Sequence, residues 1–289
     1  MPRMQIAFEK MHGLGNDFVV IDTRAMQNGD AFSLSTQRIS ELGDRHTGIG
    51  FDQLLIVRAH TADDVDIAYE IFNADGAAVN QCGNGARCIA AYVAERDGLA
   101  TGHRLIMCSP AGNVTATIGE AGTVAVDMGE PDFEPAAIPL AGFARSTQYA
   151  VSVDGTEHTL SAVSIGNPHA VTFVARAADA DVNRIGRALN AHAAFPEGVN
   201  AGFAEVRSRD HIVLRVFERG VGETRACGTG ACAAMVTAHD CGLVDERVSV
   251  QLPGGTLVID WRGAGSSITM TGPTAHAFSG HFDSQPGTP

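Results

Sequence analysis

The chain has almost no lysine: Lys10 is the only one among its twenty basic side chains. A pyridoxal phosphate enzyme needs a lysine to form its Schiff base, and no phosphate-binding loop accompanies Lys10. The chain also lacks a Gly-Lys-Ser or Gly-Lys-Thr string, which excludes a phosphate loop of that type. We therefore predict chemistry that does not depend on pyridoxal phosphate.

Positive charge and long apolar runs are also scarce. The formal net charge is −13, and the acidic residues are spread along the chain. Without a basic stripe, nucleic acid and anionic membrane are poor partners. No stretch approaches the roughly 18 uninterrupted apolar residues of a membrane helix, and the N-terminus lacks the apolar run of a signal peptide. We expect a cytoplasmic protein that acts on a small molecule.

Cysteine, by contrast, is present in a distinctive pattern. The spacing of the six cysteines does not match paired zinc ligands, and no nearby histidine completes a set, so we predict no metal site. In a chain without a secretion signal the thiols normally stay reduced. Cys82 in "NQCGNGARC" and Cys227 in "RACGTGAC" both open the string Cys-Gly-x-Gly-Ala. The remaining four are interpreted as packing residues: Cys88, Cys108, Cys232 and Cys241.

Aligning the two cysteine strings brings other segments into register, which indicates an internal repeat. "GLGNDFVV" matches "SIGNPHAV", and "VAVDMGEP" matches "SITMTGP", in the same order. Runs such as "QLLIV", "TVAVDM", "IVLRVF" and "VSVQL" are typical of strands. Helix-like segments, 86–97 and 231–241, follow the cysteine strings; each ends at a glycine and is apolar nearly all round.

These patterns predict an α+β fold of two pseudo-symmetric domains, each a curled, barrel-like mixed β-sheet wrapped around a central helix. Residues 1–130 with 272–283 form the half that carries Cys82. Residues 131–271 form the half that carries Cys227, and 284–289 form a loose tail.

A thiol at a helix N-terminus has a lowered pKa, because the unpaired N–H groups and the helix dipole favour its anion. The same N–H groups bind a carboxylate. Two such turns would place one thiol on each side of an α-carbon, so that one removes a proton and the other returns one. This inversion needs no cofactor. A single cysteine before a glycine turn is ordinary packing, but its duplication favours catalysis.

Polar side chains near the two turns suit a zwitterionic ligand. Asn16 and Asn167 occupy matching places in the two halves, although turn chemistry alone also explains asparagine there. Glu218 and Arg219 form either a surface ion pair or a site in which Arg219 recognises a second carboxylate. His169 either orients or tunes a thiol, or is structural. The choice between turn residue and ligand contact also applies to Asn73 and Asn200.

Seven segments, taken in order, resemble the motifs of the diaminopimelate epimerase family. They cover almost the whole chain up to about Phe282: "KMHGLGNDFVVID", "GIGFDQLLIV", "FNADGAAVNQCGNGARC", "GNPHAV", "VNAGF", "ERGVGETRACGTGACAA" and "LPGGTLVIDW". The resemblance implies a pyridoxal-independent enzyme of lysine and peptidoglycan precursor biosynthesis that interconverts LL- and meso-diaminopimelate. It also implies two similar domains and a homodimer.

Carried over motif by motif, the resemblance makes Cys82 and Cys227 the acid and base, and has His169 and Glu218 modulate the thiols. Four residues at the two helix N-termini would hold the reacting carboxylate: Gly83, Asn84, Gly228 and Thr229. Polar side chains would bind the rest of the substrate: Asn16, Gln53, Asn73, Asn167, Asn200, Glu218 and Arg219. Where the family commonly has a tyrosine that supports the dimer, this chain has Phe278.

Two other functions use the same residues. Proline racemases and hydroxyproline epimerases share the two-cysteine logic, but Asn73, Asn200 and Arg219 favour a longer substrate with a second charged end. A thiol redox or binding protein would pair Cys82 with Cys227 in a disulfide. Because redox motifs usually pair closely spaced cysteines, we interpret such a bond as inactivation.

Overall fold

The computed structural model describes residues 5–27, 29–62 and 64–284. They divide into two compact units: unit 1 runs up to Val126 and resumes at Gly272, and unit 2 spans Asp127–Thr271. The domain limits of 1–130 with 272–283 and of 131–271 stay a prediction. The tail predicted at 284–289 lies outside the described residues except for Ser284. No helix in the described part of the chain combines the length and the apolar character of a membrane span.

The elements of the first part of the chain alternate between strands and two α-helices. The strands are β1 (Gln5–Gly13), β2 (Asn16–Asp22), β3 (Gln53–Arg58), β4 (Ile67–Asn73), β5 (Ala78–Val79), β6 (Arg104–Ser109), β7 (Gly112–Ile118) and β8 (Thr123–Asp127). The helices are α1 (Thr36–Gly43) and α2 (Gly83–Asp97), with a 3-10 turn at Gly29–Ala31.

The second part repeats this pattern. Its strands are β9 (Tyr149–Val153), β10 (Thr156–Ser164), β11 (Pro168–Phe173), β12 (Asn200–Ser208), β13 (His211–Glu218), β14 (Gly222–Thr224), β15 (Arg247–Leu252), β16 (Gly255–Asp260), β17 (Thr269–Pro273) and β18 (Ala275–Asp283). The helices are α3 (Val182–Asn190) and α4 (Gly228–Asp240), with a 3-10 turn at Ala177–Asp179.

The two units have the same strand pairing. In unit 1, β1–β2 and β3–β4 are antiparallel, whereas β2–β3 and β4–β6 are parallel. In unit 2, β10–β11 and β12–β13 are antiparallel, whereas β11–β12 and β13–β15 are parallel. The predicted α+β class, with mixed sheets and few helices, is therefore confirmed.

Each half was predicted to contain a curled, barrel-like sheet, and the sheet does not close into a complete barrel. A barrel requires the outer strands of a sheet to pair with each other. Among the described residues, β18 and β8 of unit 1 do not pair, nor do β9 and β17 of unit 2. The sheet is open.

The central strands of unit 1, β2 and β3, are buried on both faces. Val19 of β2 packs with Ile39 and Leu42 of α1. Its neighbour Phe18 points the opposite way, because successive strand side chains alternate, and it approaches Gly85 of α2. The helix α1, which the sequence analysis did not anticipate, connects β2 to β3, and parallel strands require a crossover of this kind.

Unit 2 is built in the same manner. Val182 and Leu189 of α3 pack with Phe203 and Phe217 in the core cluster on one face. The helix α4 packs against β10, β11, β12 and β13, and residues 230–238 of this helix are all buried. A helix without a polar face was predicted at this position, and its burial explains that composition.

Candidate functional site

In unit 1, Cys82 is the N-cap residue of α2, and its Sγ accepts a hydrogen bond from the backbone N–H of Gly85 at 3.4 Å. The helix was predicted to begin at Ala86, but it begins at Gly83, because the Gly-x-Gly string itself forms the first turn. The thiol is half-buried. This geometry is the helix N-terminal thiol that the sequence indicated.

Two asparagines lie beside this thiol. The Oδ1 of Asn16 is 4.0 Å from the Sγ of Cys82, and it accepts a hydrogen bond from the Nδ2 of Asn84 at 3.1 Å. Arg87, which is fully buried, donates from Nη2 to the Oδ1 of Asn84 at 2.9 Å. At the other end, the Nδ2 of Asn16 donates to Asp52 at 2.9 Å. Neither Asp52 nor Arg87 was singled out from the sequence.

Gln53 and Asn73 form a cross-strand pair between β3 and β4. The Nε2 of Gln53 donates to the Oδ1 of Asn73 at 3.0 Å. The Oε1 of Gln53 is buried, and it has no hydrogen-bond partner among the described residues. Buried acceptors are normally satisfied, so this oxygen is suited to receive an N–H from a ligand.

In unit 2, Cys227 is the N-cap residue of α4 and is buried. Its Sγ accepts the N–H of Gly230 at 3.3 Å and lies 3.6 Å from the Oγ1 of Thr229. A Cβ added at position 230 would lie 3.0 Å from Val216 and 3.1 Å from the Sγ of Cys227. The close approach of the helix to β13 therefore favours glycine at this position.

The electrostatic environment of Cys227 differs from the sequence expectation. Burial raises the pKa of its thiol well above the ordinary value, and the charge of the Glu218 carboxylate and its hydrogen bond with the thiol raise the pKa further. Hydrogen bonds from Thr229 and the N–H of Gly230 act in the opposite direction. The expected lowering of this pKa is wrong, because desolvation of the anion exceeds the gain from the helix N-terminus.

His169 is buried, and its burial and the charge of Arg219 lower its pKa to about 3. Its ring is neutral near neutral pH. The Nε2 of His169 is 3.0 Å from the Oδ1 of Asn167, and the Nδ2 of Asn167 donates to the Oγ1 of Thr229 at 3.4 Å. The hydrogen-bonded series that starts at His169 thus reaches Cys227 through two other side chains.

Glu218 is the last residue of β13, and Arg219 follows it. The carboxylate of Glu218 accepts a hydrogen bond from Thr224. The Nη1 of Arg219 donates to the carbonyl of Glu197 at 2.8 Å, and its backbone N–H donates to the Oδ1 of Asn200 at 2.8 Å. Arg219 is exposed, so its remaining N–H groups are open to solvent or to a ligand.

The strand registers show that the duplication extends through the predicted binding residues. Gln53 lies in the third strand of unit 1 next to Phe18 of the second. In unit 2, Asn200 lies next to His169 in the corresponding pair of strands. Gln53 and Asn200 are therefore equivalent positions, an equivalence that sequence comparison alone did not show.

The other cysteines have different environments. Cys88 is fully buried, and burial raises the pKa of its thiol to about 12. Cys232 is also buried, within α4. These surroundings suit packing residues. Within the described residues, no group of three or more His, Cys, Asp and Glu side chains has the arrangement of a metal site.

Comparison with known proteins identifies a family whose match includes both cysteine turns. A family model described as "Diaminopimelate epimerase" matches residues 8–134 and 161–277. The chain belongs to the diaminopimelate epimerase family. The diaminopimelate epimerase of Psychrobacter arcticus is 49% identical over 284 residues, 96% of this chain and 94% of that protein. The diaminopimelate epimerase of Pseudomonas entomophila is 47% identical over 277 residues, 96% of this chain and 99% of that protein.

The fold of this family member is similar to that of solved epimerases. A hydroxyproline epimerase from Agrobacterium vitis, solved with bound trans-4-hydroxy-L-proline, superposes with a TM-score of 0.67. The two chains are 15% identical, and the match covers 96% of this chain and 92% of the other. At this identity the likeness concerns the two-domain, sheet-rich fold alone.

Proposed function

We propose that the protein interconverts LL- and meso-diaminopimelate, with Cys82 and Cys227 as the two proton-transferring groups. One observation carries the proposal: each cysteine caps a buried helix, at equivalent positions of the two units, and accepts an N–H from a glycine at 3.4 and 3.3 Å. Membership of the family, at 49% identity to a named diaminopimelate epimerase, supports the substrate.

The proposed reaction moves one proton off the α-carbon and another onto it. A thiolate takes the α-proton, the C–H bond breaks, and its electron pair is delocalised into the adjacent carboxylate. The thiol of the second cysteine then gives its proton to the opposite face of the carbon. The S–H bond breaks and a new C–H bond forms, so the two cysteines end with exchanged protonation states. No group is oxidised or reduced, and no cofactor is needed.

The developing negative charge needs stabilisation, because the α-proton is only weakly acidic. Backbone N–H groups at a helix N-terminus are fixed donors that require no reorganisation during the reaction. We propose that the first turns of α2 and α4 hold the carboxylate through Gly83, Asn84, Gly228 and Thr229. Burial and Glu218 raise the pKa of Cys227 and favour its thiol form, so we infer that it gives the proton in one direction of the reaction and takes it in the other.

The remaining polar side chains would recognise the rest of the substrate. The buried Oε1 of Gln53 is available to an ammonium N–H, and the exposed guanidinium of Arg219 suits a second carboxylate. Further contacts in this proposal come from Asn16, Asn73, Asn167, Asn200 and Glu218. The thiol pKa values would be tuned by Glu218, which contacts Cys227, and by His169 through Asn167 and Thr229.

We further propose that the protein works in the cytoplasm as a homodimer and contributes to lysine and peptidoglycan precursor biosynthesis. The net charge of −13 supports a small-molecule substrate rather than nucleic acid or an anionic membrane. Phe278 of β18 is 48% exposed. An aromatic ring so placed is available for contact with a second copy.

The test is turnover of reduced protein with LL-diaminopimelate, followed by chiral chromatography, beside parallel reactions with L-proline and trans-4-hydroxy-L-proline. Formation of the meso isomer, with the two prolines unchanged, is expected. Inversion of either proline instead would transfer the assignment to that substrate class, and no turnover of any of the three would refute epimerase activity. The Cys108→Ala variant, which changes a half-buried cysteine outside the proposed site, should turn over LL-diaminopimelate at the wild-type rate.

A further inference from the structure

Asp52 of unit 1 lies directly behind a proposed substrate-binding residue. One carboxylate oxygen, Oδ2, accepts the Nδ2 of Asn16 at 2.9 Å and the backbone N–H of Asp17 at 3.1 Å. The other oxygen, Oδ1, accepts Arg45 at 2.8 Å. Both carboxylate oxygens are therefore engaged by groups of the protein itself.

The carboxylate is also held in place from several sides. The backbone N–H of Asp52 donates to Asp17 at 3.1 Å, so the two residues exchange hydrogen bonds. Asp17 in turn accepts Lys10, the only lysine of the chain, at 2.6 Å and Arg45 at 2.7 Å. Lys10 also donates to the carbonyl of Gly50, which fixes the segment that leads to Asp52.

Asp52 fixes the orientation of the Asn16 amide, and Arg87 fixes the orientation of the Asn84 amide. Asp52 accepts only, so it requires the NH2 of Asn16; Arg87 donates only, so it requires the carbonyl of Asn84. The two remaining amide ends then match, and the Oδ1 of Asn16 accepts from the Nδ2 of Asn84 at 3.1 Å. Turning Asn16 over would set two oxygens together at one end and two NH2 groups at the other. The carbonyl of Asn16 is thereby fixed toward Cys82.

The equivalent amide of unit 2 has the opposite orientation. The Nδ2 of Asn167 faces the Oγ1 of Thr229, and its Oδ1 faces the Nε2 of His169. A neutral imidazole can supply an N–H to that oxygen. The difference between the units thus follows from the group behind the asparagine, which is a carboxylate in unit 1 and a neutral histidine in unit 2.

We propose that Asp52 is a positioning residue for the epimerisation: it holds the side-chain carbonyl of Asn16, rather than its NH2, against the thiol of Cys82. The role rests on the proposed function. In this role Asp52 acts through Asn16 and need not contact the substrate. Its loss removes one of the two contacts that orient the amide, the other being the Nδ2 of Asn84. The amide then presents its NH2 donors to the sulfur for part of the time, which changes the reactivity of Cys82.

The test is a double-mutant cycle with Asp52→Leu, Asn16→Ala and the combined variant. The first measurement needs no turnover: the rate of Cys82 alkylation by iodoacetamide at one fixed pH, followed by mass spectrometry of its peptide. Asp52→Leu should raise this rate severalfold and should have no further effect in the Asn16→Ala background, because contacting residues are coupled. Alkylation of Cys227 in unit 2 should stay unchanged and serves as the internal reference.

The second measurement is kcat and KM for LL-diaminopimelate. Asp52→Leu should lower kcat by roughly tenfold or more, the scale of loss from a misplaced group, with a smaller change in KM. Asp52→Asn retains an acceptor oxygen and should restore most of the activity. Asp66→Asn is the matched control, an exposed aspartate that accepts a backbone N–H from Ile106 at 2.7 Å.

Independent effects of Asp52→Leu and Asn16→Ala in the alkylation cycle would overturn the positioning role, as would an Asp52→Leu protein with wild-type alkylation of Cys82. Circular dichroism and urea unfolding establish that each variant is folded. If Asp52→Leu is not folded, Asp52→Asn is compared with the wild type in its place. A wild type that cannot epimerise diaminopimelate would refute the proposed function, whereas the alkylation cycle decides the role of Asp52 in either case.

Discussion

A single buried histidine should make unit 2 sensitive to mild acid. Burial and the charge of Arg219 lower the pKa of His169 to about 3, from the ordinary value of 6.5. Between these two values the unfolded chain binds a proton that the folded chain does not. The stabilisation is therefore complete above the unfolded pKa and is lost as the pH falls through the window from 6.5 toward 3.

The size of the effect follows from the two pKa values. Each pH unit below the unfolded pKa costs about 1.4 kcal/mol of unfolding free energy, as long as the folded protein stays unprotonated at this site. At about pH 5.0, roughly 1.5 units below the unfolded value, His169 alone should cost about 2 kcal/mol. Carboxylates with ordinary pKa values near 4 contribute little at that pH.

The assay compares urea unfolding of the wild type and of His169→Gln at about pH 7.5 and about pH 5.0. Glutamine retains an N–H donor for Asn167 but does not titrate. Trp261, the only tryptophan of the chain, is buried in unit 2 and reports its unfolding by fluorescence. The wild type should lose about 2 kcal/mol more than the variant between the two pH values. An equal loss in both proteins would refute this explanation.

Other perturbations test the surroundings of Cys227 and the packing of unit 2. Arg219→Ala should raise KM for diaminopimelate about tenfold, the scale of a lost charge-assisted hydrogen bond, with a smaller effect on kcat; an unchanged KM would rule out its role at the second carboxylate. Glu218→Gln removes a charge that raises the pKa of Cys227, so alkylation of Cys227 near pH 8 should accelerate about tenfold per unit of pKa lowering, and an unaltered rate would contradict this. Gly186→Ala places a Cβ in α3 at 2.4 Å from the Cβ of Phe217. Although alanine favours helix, the free energy of unfolding in urea should fall by about 1–3 kcal/mol because of overpacking. A more stable variant would show that α3 can shift away from Phe217.

The sequence predicts the duplicated parts of the structure well. The repeated Cys-Gly-x-Gly-Ala string specifies both a helix start and a thiol at that start, and the strand-like runs all form strands: β3, β8, β13 and β15. The helix α2 ends at Asp97, and the next residue, Gly98, caps it with a φ of 69°. A left-handed residue after a helix favours glycine, so this boundary is encoded locally.

The features that the sequence did not reveal depend on burial and on contacts between distant residues. The pKa of Cys227 is set by desolvation and by Glu218, and neither effect is visible in a helix N-terminal pattern. Asp52 adjoins Gln53 in the chain, but its hydrogen bond to Asn16 depends on the pairing of β2 with β3. The helices α1 and α3 are short, and their amphipathic faces become meaningful only once the parallel strands that they connect are known.

The central claim is that two thiols exchange protons with one α-carbon. Its most direct test is proton NMR of the reduced protein with LL-diaminopimelate in D₂O, beside Cys82→Ala and Cys227→Ala. The two-thiol reaction predicts that the wild type replaces the α-proton by deuterium while the meso isomer forms, and that neither variant produces the meso isomer. A variant that still epimerises at the wild-type rate would contradict the account, because inversion would then not require its thiol.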